Sequence, residues 1–88
     1  MARKRTTGKK RPPGRSPKAS SPRLRQIGRR LREAREAKAL TQDALSDKAG
    51  VDRSYISDME RGVRNFSILA FLDLTEALDV DPGELLKP

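Results

Sequence analysis

The chain has 88 residues, with 20 Lys or Arg against 12 Asp or Glu, a formal net charge of +8, and neither cysteine nor histidine. That length allows one small domain, and the missing residue types exclude disulfides, thiolate metal sites and the usual general base and zinc ligand. The longest apolar run, residues 68–72, is far too short to span a bilayer, and the basic N-terminus lacks the apolar segment of a secretory signal, so a cytoplasmic protein is expected.

Residues 1–23 carry nine basic side chains and no acidic one: Arg3, Lys4, Arg5, Lys9, Lys10, Arg11, Arg15, Lys18 and Arg23. Four of the six prolines lie here, and Met1, Ala2 and Ala19 are the only apolar residues before Leu24. Such a segment buries too little surface to offset its ordering entropy, so residues 1–20 are expected to be a disordered basic arm ahead of a domain at 21–88. The arm would neutralise phosphates without reading sequence, with an affinity that falls steeply as salt rises. The remainder is polarised. Residues 24–38 carry a net +4, residues 39–64 a net −1 and residues 65–88 a net −4. One basic end and one acidic end would orient the domain on a polyanion, in the cell the nucleoid.

The first helix is predicted to start at Ser21 as N-cap with Pro22 at the first position, and to end near Lys38 and Ala39. Leu24, Ile27, Leu31 and Ala34 recur at helical spacing and define its inner stripe. Arg32 and Glu36, four apart, can pair on its surface. Thr41 caps the second helix, whose inner face is Ala44, Leu45 and Ala49. Asp43 in its first turn suits the helix dipole, and Gly50 ends it in the left-handed conformation. Asp52 caps the third, which spans about 52–61, turns Ile56 and Met59 inward and stops at Gly62. The fourth runs from about Ser67 to Leu78 with a core stripe of Ile68, Phe71, Leu74 and Leu78. Asp81, Pro82 and Glu84 open a fifth, with Glu84 reaching back as in a capping box. No alternating pattern competes, so the class is all-α with five helices.

The second and third predicted helices are joined by about three residues, the short link of a helix-turn-helix. Several motifs carry a wider resemblance: Ile27-Gly28-Arg29-Arg30-Leu31-Arg32, Leu40-Thr41-Gln42, Ala49-Gly50-Val51, Arg53-Ser54-Tyr55-Ile56-Ser57, Glu60-Arg61-Gly62 and Ala77-Leu78-Asp79-Val80. In this order and spacing the chain resembles the Cro/phage-repressor type of helix-turn-helix protein, the XRE family. The Arg53-Ser54-Tyr55-Ile56-Ser57 and Glu60-Arg61-Gly62 stretch looks most like the controller proteins of restriction-modification systems. The resemblance implies a five-helix, lambda-repressor-like DNA-binding domain. The family usually has Gly where Ala39 stands, which would lengthen or strain the first turn, and often Pro where Phe66 stands.

That resemblance assigns base reading to Arg53, Ser54 and Ser57 on the third helix. Arg can donate a bidentate pair to guanine, and Ser can meet any base. It assigns DNA-backbone contacts to Gln42, Tyr55, Arg61, Arg64 and Asn65. Gln42 would also buttress the recognition helix, and Tyr55 either offers its hydroxyl to DNA or packs. Leu69 and Leu72 are turned aside from the core stripe and, with Leu86, form a candidate twofold homodimer interface. The function expected is sequence-specific binding of double-stranded DNA in transcriptional regulation, by a homodimer on an inverted repeat. No cofactor, metal, membrane or small-molecule partner is expected, and no catalytic arrangement is visible. Two rivals stay open: an antitoxin-like or bridging protein-interaction module, and a nonspecific nucleic-acid binder dominated by the arm.

Overall fold

Among the described residues, each helix begins where a short polar side chain replaces a missing intrahelical acceptor. Residues 21–88 are described by a computed structural model. They form α1 (Pro22–Ala37), α2 (Gln42–Ala49), α3 (Arg53–Arg61), α4 (Ile68–Leu78) and α5 (Pro82–Leu86). Ser21 accepts from the Leu24 N–H at 3.1 Å, Thr41 from Ala44 at 3.0 Å, and Asp52 from Ser54 at 3.1 Å. Ser67 accepts from Ala70 and Asp81 from Gly83, both at 3.0 Å. Caps of this kind each stabilise a helix by about 1 kcal/mol. Glu84 departs from the expected capping box: it meets Lys87 at 3.2 Å instead. The Arg32–Glu36 pair forms at 3.1 Å on the exposed side of α1.

The helix ends show which positions need the left-handed backbone. Gly50 (φ 73°) and Gly62 (φ 70°) adopt it as expected. So do Ala39 (φ 59°) and Asp79 (φ 57°), which are not glycine. At Ala39 the Leu40 N–H reaches the Arg35 carbonyl at 3.2 Å and the Ala39 N–H reaches that of Glu36 at 2.9 Å. This is a Schellman ending, so the turn keeps its length and the missing glycine appears as strain. An alanine Cβ in that region costs about 1–2 kcal/mol. Ala39→Gly is therefore expected to stabilise the domain by about 1 kcal/mol, after the entropy glycine adds to the unfolded chain. A urea titration of both proteins would check it, and an unchanged or lowered midpoint would contradict it.

The core is Leu31, Leu45, Val51, Ile56, Met59, Phe71, Leu74, Leu78 and Leu85. Each such side chain contributes about 1.5–3 kcal/mol on burial. Ile27, Ala34, Leu40, Ala49, Phe66 and Val80 pack around them half-buried. Three predicted inner residues lie off the core: Leu24 and Ala44 are only half-buried, and Ile68 is 61% exposed. Ile68 sits in the first turn of α4, and Ala70 and Thr75 complete the buried face instead. Thr75 is tolerated there because its hydroxyl donates to the Leu72 carbonyl at 3.1 Å. Phe66 stacks on Phe71 with ring centroids 5.8 Å apart, which gives the segment before α4 an apolar anchor in place of a proline.

α1 packs on α3, α2 on α3 and α4, and α5 against α1 and α4. The α1–α3 contact is backbone against backbone. A Cβ built on Gly28 would lie 2.6 Å from the Glu60 carbonyl oxygen and closer still to that of Met59. A Cβ on Gly62 would lie 2.6 Å from the Arg25 Cα. The short α5 is held at its C-terminal end by Arg30, whose guanidinium donates to the carbonyls of Leu85 (3.4 Å), Lys87 and Pro88 (3.5 Å). A cation on these otherwise unpaired carbonyls is a favourable helix ending.

Candidate nucleic-acid interface

α2 and α3 are joined through residues 50–52. Gly50 turns the chain, and the Ser46 hydroxyl donates to the Val51 carbonyl at 2.6 Å, tying α2 to the turn while the Val51 side chain is buried. On α3, Ile56 and Met59 face the core, and Arg53, Ser54 and Arg61 are exposed, with Ser57 half-exposed between them. At 100° per residue these four share one face, opposite the core contacts. The three residues expected to read bases are therefore brought together.

Two of them already have partners. The Arg53 Nε lies 3.1 Å from Asp43 Oδ1 at the start of α2. The Ser54 hydroxyl donates to Asp52 Oδ1 at 3.2 Å, beside the capping bond. In that rotamer Ser54 offers lone pairs outward, and so suits an amino group such as cytosine N4 or adenine N6.

What fixes α3 is a buried ion pair that no local sequence pattern reveals. Arg35 on α1 donates from Nε to Glu60 Oε2 at 2.7 Å and from Nη2 to Glu60 Oε1 at 3.0 Å. Its Nη1 donates to the Leu40 carbonyl at 2.8 Å. The two side chains are only 11% and 3% exposed. Gln42 donates to Glu60 Oε1 at 3.1 Å. One carboxylate thus ties α1, the start of α2 and the end of α3. The hydrogen bonds to Glu60 hold Arg35 above the ordinary arginine pKa, outweighing burial, which acts the other way. A raised base contributes its stability at every pH below the unfolded value and loses it only as pH rises through the folded one. The arginine therefore stays charged throughout the range in which a protein is handled. Gln42 makes the expected buttress, and one of its two amide hydrogens is left over.

The other expected backbone contacts lie on α3 and in the loop just after it. Asp58 meets Arg61 at 2.9 Å and Arg64 at 3.5 Å. Arg64 lies over the Tyr55 ring, 4.4 Å from its centroid. The Tyr55 hydroxyl accepts from the Ser67 N–H at 2.9 Å, linking α3 to the start of α4. Tyr55 therefore packs, while its own O–H remains a donor. Asn65 is exposed in the loop.

Of the basic arm, Arg3, Lys4, Arg5, Lys9, Lys10, Arg11, Arg15 and Lys18 lie outside the described residues. Arg23 does not belong with them: it is an exposed residue in the first turn of α1, because the Ser21 cap and Pro22 start the helix before it. Leu69, Leu72 and Leu86 are 70%, 40% and 48% exposed. Ile68 joins Leu69 and Leu72 on one side of α4. Among the described residues no helix is long and apolar enough to cross a membrane.

The profile of the helix-turn-helix family matches residues 31–85. The control protein C.BamHI of Bacillus amyloliquefaciens is 38% identical over 61 residues, 68% of this chain and 75% of that protein. The restriction-modification controller protein C.AhdI from Aeromonas hydrophila superposes with a TM-score of 0.68 at 50% identity, covering 70% of this chain and 94% of that one. The master regulator for biofilm formation SinR, solved in complex with DNA, superposes with a TM-score of 0.66 at 37% identity, covering 69% and 98%. The chain belongs to the XRE-type helix-turn-helix family, to which these regulators and restriction-modification controllers also belong.

Proposed function

We propose that this chain is a regulator of transcription that binds double-stranded DNA in a sequence-specific manner, with α3 in the major groove. The observation that carries this reading is the polar, outward N-terminal half of α3, fixed on its scaffold by the Arg35–Glu60–Gln42 network. The family supports it: SinR was solved with DNA bound. Arg53, Ser54 and Ser57 read base edges. Gln42, Tyr55, Arg61, Arg64 and Asn65 set the register on the phosphates, and the basic arm of residues 1–20 adds sequence-independent attraction. The exposed Ile68, Leu69 and Leu72, together with Leu86, support a homodimer. A twofold dimer would take an inverted repeat with half-sites about 34 Å apart. Bound to the chromosome, the protein would reside in the nucleoid.

Selection from a randomised duplex library with the full-length chain tests the whole reading. An enriched inverted repeat is expected. Binding that enriches nothing and vanishes as salt rises would leave only a nonspecific arm. In the same assay Arg53→Ala is expected to lose about 1–3 kcal/mol on the selected site and to relax one base position. An equal loss on every sequence would remove Arg53 from the readers.

A further inference from the structure

An acidic residue beside a DNA-reading face needs a reason. Asp43 occupies the first turn of α2, where a carboxylate suits the helix dipole without any partner. The structure gives it one: its Oδ1 lies 3.1 Å from the Nε of Arg53 on α3. Both side chains are more than half exposed, so the pair contributes little to stability. What it changes is where the Arg53 guanidinium goes. Arginine carries five N–H donors. Held beside Asp43 as an ion pair, the guanidinium stays over the start of α2, and its N–H groups can still span guanine O6 and N7. A long unpaired arginine at the same position would find the nearest phosphate instead, which adds affinity but no sequence information.

We infer that Asp43 is a specificity-determining residue, which positions Arg53 for base reading and withholds its charge from the DNA backbone. The inference rests on the DNA-reading function proposed above. On docking, water leaves the groove and the pair strengthens, because the local dielectric falls. On a sequence without the matching base, Arg53 has no base partner, and the carboxylate beside it is repelled by the phosphates. Asp43 thus acts through Arg53, and its contribution is to discrimination more than to affinity.

The test is a selection from the randomised library with the full-length chain, Asp43→Ala and Asp43→Asn, with Arg53→Ala to mark the base pair concerned. Circular dichroism establishes that each variant is folded. Asp43→Ala is expected to bind random duplex roughly 3- to 10-fold more tightly, having lost a negative charge at the interface. It is also expected to lose about tenfold of the preference at the marked base pair. Asp43→Asn keeps the shape but removes the charge that makes the ion pair, so it should lose the preference and gain affinity for random duplex as Asp43→Ala does. An Asp43→Ala preference equal to the wild type's at that position would overturn the inference, and so would an even loss at all positions. If the wild-type chain enriches no site, the proposed function fails first and the inference falls with it; an enriched wild-type site with an unaltered Asp43→Ala preference is failure of the inference alone.

Discussion

Glu60→Ala is expected to destabilise the domain by about 3–5 kcal/mol, the usual cost of stripping one partner from a buried ion pair. The substitution removes the acceptor for Arg35 Nε and Nη2 and for the Gln42 amide, and nothing replaces it. Arg35 cannot escape by losing its proton, since an arginine stays charged at any pH compatible with folding. It must remain as an unpaired cation in a nearly closed site or pull the start of α2 away from α3 to reach water. Small domains are stable by only about 5–15 kcal/mol, and one of this size sits toward the lower end. A loss on this scale leaves a readily measured unfolded fraction. Replacing Arg35 and Glu60 together by leucine should cost less, because no lone charge is left behind; the Leu40 carbonyl and Gln42 amide then account for what remains. Urea unfolding followed by circular dichroism decides the matter. A Glu60→Ala protein within 1 kcal/mol of the wild type would show that the pair is no more than decoration.

The same network marks the boundary of what could be read from the chain. Helix starts were legible because a cap is decided within about three residues. Ser21, Thr41, Asp52 and Asp81 all accept where their positions require. The helix-turn-helix and the face of α3 carrying Arg53, Ser54 and Ser57 followed from helical spacing joined to a family resemblance. The Arg35–Glu60 pair spans 25 residues, and each side chain is an ordinary surface type by composition. Only the packing of α1 on α3 turns both inward. Asp58, which holds Arg61 and Arg64, and Asp43, which holds Arg53, were hidden for a related reason. An acid within a turn of a helix start or an arginine has several local explanations, and the sequence does not choose among them. Ile68 shows the opposite error. Its spacing fits the stripe of α4, but which turns of a stripe are covered is a property of the tertiary fold.

Gly28→Ala is the second large effect, expected to destabilise by about 2–3 kcal/mol although alanine is the better helix former by nearly 1 kcal/mol. In an isolated helix the substitution would therefore stabilise, so the sign of the result reports packing alone. The new Cβ would lie 2.6 Å from the Glu60 carbonyl oxygen and nearer still to that of Met59. Both obstacles are backbone at the end of α3, and backbone cannot rotate aside as a flexible side chain can. α1 must shift, and overpacking of this kind costs about 1–3 kcal/mol or somewhat more. Gly62 prevents an easy retreat, because it sits against the Arg25 backbone on the same contact and already needs a positive φ. Any shift also stretches Arg35–Glu60, whose two bonds cross the same helix pair. The two predictions are thus coupled: Gly28→Ala combined with Glu60→Ala should lose less than the sum of the separate effects, since the first already weakens what the second removes. Additive losses in a double-mutant cycle would mean that the glycine contact and the ion pair hold α3 independently. Sub-additive losses would identify them as one clamp, fixing the recognition helix to α1 from its C-terminal end and leaving its N-terminal half free to meet DNA.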